Sequence, residues 1–211
     1  MPTFRGQGGL WERHRPEDLA TPQAFARDPA LVWRWYHWRR RLIHACRPNP
    51  AHLALAELEA RLPGFNLITQ NVDGLHRLAG SRAPLEIHGN LWFVRCLDCG
   101  ERREERRLDL PAPPSCPLCG GLLRPDVVWF GENLDQELLE RAWQAAQEAE
   151  VMLVVGTSAV VRPAASLATA AKRAGAFVIE VNLEPPPNSS QVDVSLLGKA
   201  GQVLPALLEA S

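Results

Sequence analysis

The sequence has no long apolar run and almost no net charge, and each absence excludes a class of protein. No stretch of about 18 apolar residues, the length of a membrane-spanning helix, occurs in the chain. The first residues lack the apolar core of a signal peptide, so secretion is not indicated. A net charge of −1 gives no broad positive surface for nucleic acid or for an anionic membrane. We therefore expect a cytoplasmic protein that binds neither nucleic acid nor membrane.

The composition is otherwise that of an ordinary globular protein. Hydrophobic residues make up 46% of the chain and charged residues 22%, a balance that allows a buried core. A length of 211 residues is sufficient for one domain with a subdomain, or for two small domains. The chain is therefore long enough to hold a main fold and a smaller module.

Cysteine is scarce, with five residues, but four of the five form two C-x-x-C pairs. The pairs are Cys96 with Cys99 and Cys116 with Cys119. In a reducing compartment such pairs indicate a metal before a disulfide. Two C-x-x-C turns supply four thiolates for one tetrahedral Zn²⁺, and this closed set is typical of a structural site. Four unrelated buried cysteines, or a redox pair, are the alternatives.

Short apolar strands alternate with amphipathic helices in the second half of the chain. Strands are predicted at 65–69, 126–130, 151–155 and 176–181, and helices between the last three at 135–150 and 162–175. This alternation is typical of right-handed β-α-β units that build a parallel sheet. Two further helices are predicted at 29–46 and 51–62, and the cysteine-bearing residues 91–125 interrupt the alternation as an insertion.

Polar residues follow three of the predicted strands, at 70–73, 156–158 and 182–184. In an open parallel sheet, ligands bind beyond the carboxyl ends of the strands. A glycine and two hydroxyls before a helix favour a phosphate, because free N–H groups and the helix dipole attract an anion. One such loop alone is more often an ordinary helix cap, but three at equivalent positions indicate a nucleotide.

His88, in the segment LEIHGN, is the candidate acid or base. Imidazole titrates near neutral pH and can take a proton from a sugar hydroxyl. A buried, hydrogen-bonded structural histidine is the alternative. The same alternative is stronger for His76, which lies at a predicted helix start.

Several segments, taken in order, resemble the sirtuin family of NAD-dependent protein lysine deacylases. They are PTFRG…GLW, TQNVDGLH, EIHGN, the two C-x-x-C pairs, VVWFGE, GTS…V.PA and VNLE. The resemblance covers nearly the whole chain and implies an α/β fold with a Rossmann-like, doubly wound parallel sheet. The NAD-binding domain would comprise 1–16, 63–90 and 126–211. A helical module at 17–62 and a zinc-ribbon module at 91–125 would form the smaller domain.

The resemblance also implies a role for each matching residue. His88 would act as the general base on the NAD ribose, with Asn71 as the second catalytic residue. The residues implied in NAD binding are Phe4, Arg5, Trp11, Gln70, Asn71, Val72, Asp73, Gly156, Thr157, Ser158, Asn182, Leu183, Glu184 and Ala200. The substrate peptide would pair by strand addition with residues Val127, Val128, Phe130, Gly131 and Glu132. The products would be deacylated lysine, nicotinamide and O-acyl-ADP-ribose.

Tyr36 and Arg39 form a Y-x-x-R pattern, one helical turn apart and therefore on one face. This resembles the pair that binds a negatively charged acyl group in the succinyl- and malonyl-lysine branch of the family. A guanidinium can form a fork on a carboxylate, and a phenol adds a hydrogen bond. The alternative is an aromatic-rich core helix with a solvated arginine face. We expect acylated proteins as partners, with acetyl and succinyl or malonyl groups removed.

The start of the sequence differs from the family pattern. The strand and Gly-Ala-Gly-hydroxyl loop that precede the PTFR segment in sirtuins are not in this sequence. That strand belongs near the middle of the sheet, and unpaired buried backbone groups are costly. We expect the 211-residue polypeptide, made alone, to be poorly stable and to bind NAD weakly or not at all.

Other functions remain as alternatives. A catalytically impaired protein that binds NAD and zinc is one, and a mono-ADP-ribosyltransferase is another. A zinc-ribbon nucleic-acid binder is disfavoured, because the zinc segment has no basic face.

Overall fold

The computed structural model describes residues 15–158, 161–184 and 192–209 of the chain. The expected NAD contacts of Phe4, Arg5 and Trp11 lie outside these residues. Within the described ranges, no helix combines the length and apolar character needed to cross a membrane.

The described residues form eight helices and eight strands. The helices are α1 (Pro16–Leu19), α2 (Pro22–Arg27), α3 (Pro29–His44), α4 (Pro50–Arg61), α5 (Leu75–Leu78), α6 (Gln136–Glu148), α7 (Ser166–Ala174) and α8 (Ala200–Glu209). The strands are β1 (Ile68–Thr69), β2 (Leu85–Glu86), β3 (Gly89–Cys96), β4 (Arg102–Glu104), β5 (Leu123–Val127), β6 (Val151–Val155), β7 (Phe177–Asn182) and β8 (Val194–Leu197).

Three of the longer helices begin at a side chain that caps the first turn. The Asp28 carboxylate accepts a hydrogen bond from the Leu31 N–H at 2.8 Å, and Asp135 caps α6 in the same way. Asn49 and His52 form a reciprocal capping box at the start of α4. Such caps satisfy N–H groups that the first turn leaves without partners. Because they are local signals, the sequence alone predicts these helices.

The first of two compact units is discontinuous along the chain and comprises residues 15–46, 71–74 and 88–134. Its strands form an antiparallel sheet in the order β4-β3-β5. Helix α3 contributes Trp33 and Tyr36 to one core cluster, together with Leu91 and Leu123 of the sheet. Both aromatic side chains are buried, so one face of α3 packs into this core.

The second compact unit comprises residues 47–70, 75–87 and 135–209. Its strands are all parallel, with β1 paired to β2 and a separate sheet in the order β6-β7-β8. Met152 of β6 packs against the cluster that holds α6 and α7, whereas Leu153 packs against the cluster that holds α4 and α8. Helices therefore cover both faces of the sheet, as in a doubly wound fold.

Strand β6 is apolar throughout, yet none of its five residues is fully buried. Val151 is 56% exposed. In the described part of the chain β6 pairs only with β7, so its other edge has no strand beside it. Among the described residues, β6 is therefore an apolar strand that is paired on one side only.

The predicted strand at 126–130 is wrong. The structure places strand β5 at Leu123–Val127, where it pairs antiparallel with β3 in the first unit rather than joining the parallel sheet. Beyond it, the Phe130 N–H donates to the Ala20 carbonyl at 2.9 Å. The apolar pattern identified an extended segment correctly, but its partner is set by the zinc module and not by the local sequence.

The boundaries of the two compact units differ from the predicted domain boundaries. The sequence assigns 17–62 to the smaller domain, whereas α4 belongs to the second unit. Ala51 and Leu55 of α4 pack with Val181 and Leu204 there, which gives the physical reason.

Candidate functional site

The four cysteines of the C-x-x-C pairs converge in the first unit. Their Sγ atoms all lie within 4.8 Å of one another. The Cys96 and Cys119 sulfurs are 3.5 Å apart, and those of Cys99 and Cys116 are 3.8 Å apart. Four sulfurs around a zinc ion with Zn–S bonds of about 2.3 Å would be separated by about 3.8 Å. The cluster therefore fits one zinc ion, and four sulfurs leave no open position for a substrate.

His88 lies in the turn that links β2 to β3 and is half-buried. Its carbonyl accepts a hydrogen bond from the Val128 N–H at 2.9 Å. Gly89 follows with a φ of +79°, a conformation that favours glycine. A Cβ at Gly89 would lie 2.2 Å from the Asp126 carbonyl oxygen. The position of the candidate base is therefore fixed by backbone contacts that only glycine permits.

The segment that carries Asn71 and Asp73 is attached to β3 beside this turn. The Leu91 N–H donates to the Val72 carbonyl at 2.8 Å, and the Trp92 indole N–H donates to the Asp73 carbonyl at 2.8 Å. Asp73 and Val72 are buried, whereas Asn71 is exposed. The first unit thus holds His88, Asn71 and Asp73 through one strand.

Arg40 is a buried cation that sequence reasoning missed. It is fully buried, and its Nε donates to the Leu91 carbonyl at 2.8 Å. Its guanidinium lies between the rings of Trp33 and Trp92, 5.5 and 5.8 Å from their centroids. The signal was its helical spacing, since position 40 continues the buried stripe of Trp33, Tyr36 and Ile43.

Three of the predicted nucleotide-binding residues meet in the second unit. The Gln70 amide lies 3.5 Å from the Thr157 hydroxyl, and the Asn182 amide donates to the Thr157 carbonyl at 2.8 Å. Gly156 has a φ of +62° and its N–H donates to the Val181 carbonyl at 2.9 Å. The carboxyl ends of β1, β6 and β7 therefore converge, as the sequence predicts.

The other residues predicted to bind the nucleotide also lie in the second unit. Ser158 is exposed, as are Leu183 and Glu184 after β7. Ala200 is the first residue of α8. The helix expected to open at Pro163 instead begins at Ser166, so the Gly-Thr-Ser loop does not lead directly into a helix.

Tyr36 and Arg39 lie buried in the first unit, only 2% and 3% exposed. The Trp129 indole N–H donates to the Tyr36 hydroxyl at 2.9 Å, and the Arg39 guanidinium lies 5.0 Å from the Trp35 ring. Burial raises the pKa of Tyr36 and lowers the pKa of Arg39 to about 10. At neutral pH the phenol is therefore protonated and the guanidinium charged. This burial fits the aromatic-rich core helix of the predicted alternative, but for Arg39 it does not fit a solvated arginine face.

The segment predicted to bind a peptide follows β5. The N–H groups of Val128 and Phe130 donate to carbonyls inside the first unit, and the Trp129 N–H donates to Glu132 at 2.8 Å. Gly131 has a φ of +87° and is exposed. These three N–H groups already have acceptors, so a peptide that pairs with this segment would have to bind to its other backbone groups.

Comparisons with known proteins agree with this arrangement. The chain is 57% identical to NAD-dependent protein deacylase 2 of Pyrobaculum aerophilum, over 99% of this chain and 84% of that protein. It is 54% identical to the NAD-dependent protein deacylase of Aquifex aeolicus, over 95% and 84% of the two chains.

Solved structures show the same fold. A Sir2 homolog–NAD complex matches with a TM-score of 0.92 at 50% identity, over 99% of this chain and 82% of that chain. A mutant Sir2 homologue in complex with ADP-ribose matches with a TM-score of 0.95 at 50% identity, over 99% and 84%. A sequence model of the Sir2 family matches residues 1–163. The sequence pattern, the cysteine cluster and these likenesses agree, and the chain belongs to the Sir2 family, the sirtuins.

Proposed function

We propose that this protein is an NAD-dependent protein lysine deacylase that accepts succinyl and malonyl groups as well as acetyl groups. Membership of the Sir2 family and the deacylase names of its relatives support the general reaction. One observation supports the acyl preference, namely the buried pair formed by Tyr36 and Arg39. The substrates would be proteins that carry acylated lysines.

The ribose carbon of NAD would form a bond to the acyl oxygen as its bond to nicotinamide breaks. Water would then complete the transfer, which gives free lysine and O-acyl-ADP-ribose. His88 would take the proton from a ribose hydroxyl, the role for which imidazole is suited near neutral pH. Asn71, Val72 and Asp73 would line the nicotinamide side, together with Gln70. The attachment of residues 71–74 to β3 supports this role, because it fixes them relative to His88.

The predicted NAD-binding residues of the second unit fall into two groups. Gly156, Thr157 and Ser158 would contact the phosphates. The residues assigned to the adenosine half are Asn182, Leu183, Glu184 and Ala200. The link from the Asn182 amide to the Thr157 carbonyl supports a shared site for phosphate and ribose.

The peptide and the metal would be held by the first unit. Residues 127–132, Trp129 excepted, would contact the substrate backbone. Zinc would be held by the four cysteines and would stabilise the antiparallel sheet, taking no part in the reaction.

The acyl preference rests on the chemistry that the buried pair offers. A guanidinium forms a charge-assisted hydrogen bond with a carboxylate that reaches it, and such bonds are stronger than those between neutral groups. Arg39 remains charged at neutral pH although burial lowers its pKa to about 10. Tyr36 can donate its hydroxyl proton to the same carboxylate. An acetyl group offers no carboxylate, so it gains nothing from either side chain.

The test is mass spectrometry of acetyl-lysine and succinyl-lysine peptides incubated with the protein and NAD. We expect the succinyl peptide to be processed at least as well as the acetyl peptide. In Arg39→Met, kcat/KM for the succinyl peptide should fall about tenfold or more, the size of a lost charge-assisted hydrogen bond. The acetyl value should fall much less.

Two variants complete this experiment. Arg34→Met removes an exposed arginine from the same helix and should leave both substrates unaffected. His88→Ala should abolish nicotinamide release with either peptide. An equal loss on both substrates in Arg39→Met would contradict the acyl preference, whereas peptide turnover in His88→Ala would contradict the assigned base.

A further inference from the structure

Trp129 lies in the middle of the segment VVWFGE and is turned inward, only 3% exposed. Its indole N–H donates to the Tyr36 hydroxyl at 2.9 Å, across 93 residues of sequence. Both residues belong to the first unit. The peptide-binding segment and the candidate acyl-binding helix are therefore joined by one side-chain hydrogen bond.

The indole ring is held in place from several sides. The Arg124 guanidinium lies 3.5 Å from the ring centroid, and the Phe25 ring centroid lies 5.1 Å away. The Trp129 backbone N–H donates to the Glu132 carboxylate at 2.8 Å. Glu132 in turn accepts two hydrogen bonds from Arg124. The ring therefore has little freedom to turn its N–H away from Tyr36.

An ion pair between Glu132 and Arg124 keeps the groups around the Trp129 ring in place at neutral pH. Burial alone would raise the pKa of Glu132, but hydrogen bonds from Arg124 and from the Trp129 N–H outweigh it and lower the pKa. Glu132 is therefore ionised and paired with Arg124. The same guanidinium donates to the Val127 carbonyl at 2.9 Å, which ties the start of the segment to the same group.

The hydrogen bond decides how the phenol can act. An indole N–H only donates, so the Tyr36 oxygen must be the acceptor. The phenol has a single proton, which is then directed away from Trp129. Burial raises the pKa of Tyr36, so this proton is present at neutral pH. Arg39 lies one turn further along the helix, and the two groups together offer donors and a positive charge to an anion.

We propose that Trp129 is a positioning residue for acyl specificity, and that its indole N–H sets the Tyr36 hydroxyl as a donor to the terminal carboxylate of a succinyl or malonyl group. This inference rests on the proposed acyl preference. Trp129 does not touch the acyl group in this account, because it acts through Tyr36. An acetyl-lysine substrate, which lacks the carboxylate, does not depend on the orientation of the phenol.

The test compares Trp129→Phe with the unmodified protein on succinyl- and acetyl-lysine peptides. Phenylalanine keeps an aromatic ring beside Arg124 and removes the N–H donor. We expect kcat/KM for the succinyl peptide to fall about fivefold, as for one lost hydrogen bond. The change should appear mainly in KM, and the ratio of succinyl to acetyl turnover should fall with it.

Trp33→Phe is the matched control. Trp33 is buried in the same core and its indole N–H donates to the Leu123 carbonyl at 2.8 Å. Both variants should lower Tm, but only Trp129→Phe should change the ratio. Replacement of Trp129 by 3-benzothienylalanine keeps the ring size, removes only the donor and should give the same ratio. It serves as the second measurement if the phenylalanine variant folds poorly.

A double variant identifies the route of the effect. If Trp129 acts through Tyr36, then Trp129→Phe should cause no further loss of succinyl turnover in a Tyr36→Phe background. Additive losses, or an equal fall on both peptides, would overturn the inference. Selective loss in Arg39→Met without any change of ratio in Trp129→Phe would overturn this inference alone. Equal losses in Arg39→Met would overturn the proposed acyl preference instead.

Discussion

Gly89 is the residue at which the backbone leaves the least room beside the candidate base. Its φ is +79°, and an added Cβ would meet the carbonyl of Asp126 and the Cα of Val127. Both contacts are with backbone, which cannot move aside as a flexible side chain can. The space next to His88 is therefore determined by the absence of a single side chain.

We predict that Gly89→Ala destabilises the protein by more than about 3 kcal/mol, because left-handed strain and a backbone clash act together. Gly64→Ala is the matched control, since Gly64 has a φ of +77° but nothing within 4 Å of an added Cβ. That variant should cost only about 1 kcal/mol. Urea unfolding measures both, and equal costs would show that the clash with β5 is absent.

At the residue scale, spacing alone predicted the cysteine cluster, which follows from the two C-x-x-C pairs. Spacing places Tyr36 and Arg39 on one helix face, but only the resemblance to the sirtuin family marked this pair as a candidate site. The link between Tyr36 and Trp129 joins residues 93 positions apart, and no local pattern encodes it. The role of each predicted NAD-binding and catalytic residue stays a prediction.

At the scale of elements, the apolar periodicity of the sequence predicted those helices and strands whose limits depend on nearby residues. Strand β6 was predicted at 151–155, the range that the structure shows, because its apolar run is bounded by a helix and a glycine. Strands β3 and β4 were not predicted, since their alternation is weak and their pairing depends on the metal ligands between them. The predicted strand at 65–69 shrinks to the two residues of β1 for lack of longer pairing.

The antiparallel sheet should depend on zinc. Cys99→Ser removes one of the four ligands, and we expect loss of bound zinc and a fall in Tm of more than about 10 °C, given the binding free energy of structural zinc sites. Cys46→Ser is the control, because the Cys46 sulfur lies outside the cluster and donates to the Leu42 carbonyl at 3.3 Å. Elemental analysis and calorimetry measure the two effects. Retention of zinc and of Tm in Cys99→Ser would contradict a structural role.

At the scale of the whole molecule, the chain has almost no net charge, and within the described ranges the apolar strand β6 pairs along one edge only. Charge normally opposes association, and an unpaired strand edge promotes it. A low net charge and an unpaired strand edge therefore both favour association. Solution behaviour should therefore be governed by the edge of β6 rather than by a scattered set of surface residues.

We predict that Val151→Lys reduces self-association, because a lysine at the most exposed position of β6 opposes pairing of two edges. Leu62→Lys is the control, since Leu62 is 50% exposed but follows the last turn of α4 and belongs to none of the described strands. Light scattering over a range of protein concentrations measures the effect. An equal reduction by both variants would show that the loss of an exposed apolar side chain, and not the strand edge, controls association.

Strand β3 has a consequence for redox conditions. It runs from Gly89, directly after His88, to Cys96, and its seven residue steps span about 24 Å. One end of the strand carries the candidate base, and the other end carries a zinc thiolate. Oxidation of the thiolates would release the metal and free that end of β3 from β5, where Cys96 pairs with Leu123. An oxidant would thus reduce activity by shifting a strand, without modifying any residue assigned to the reaction.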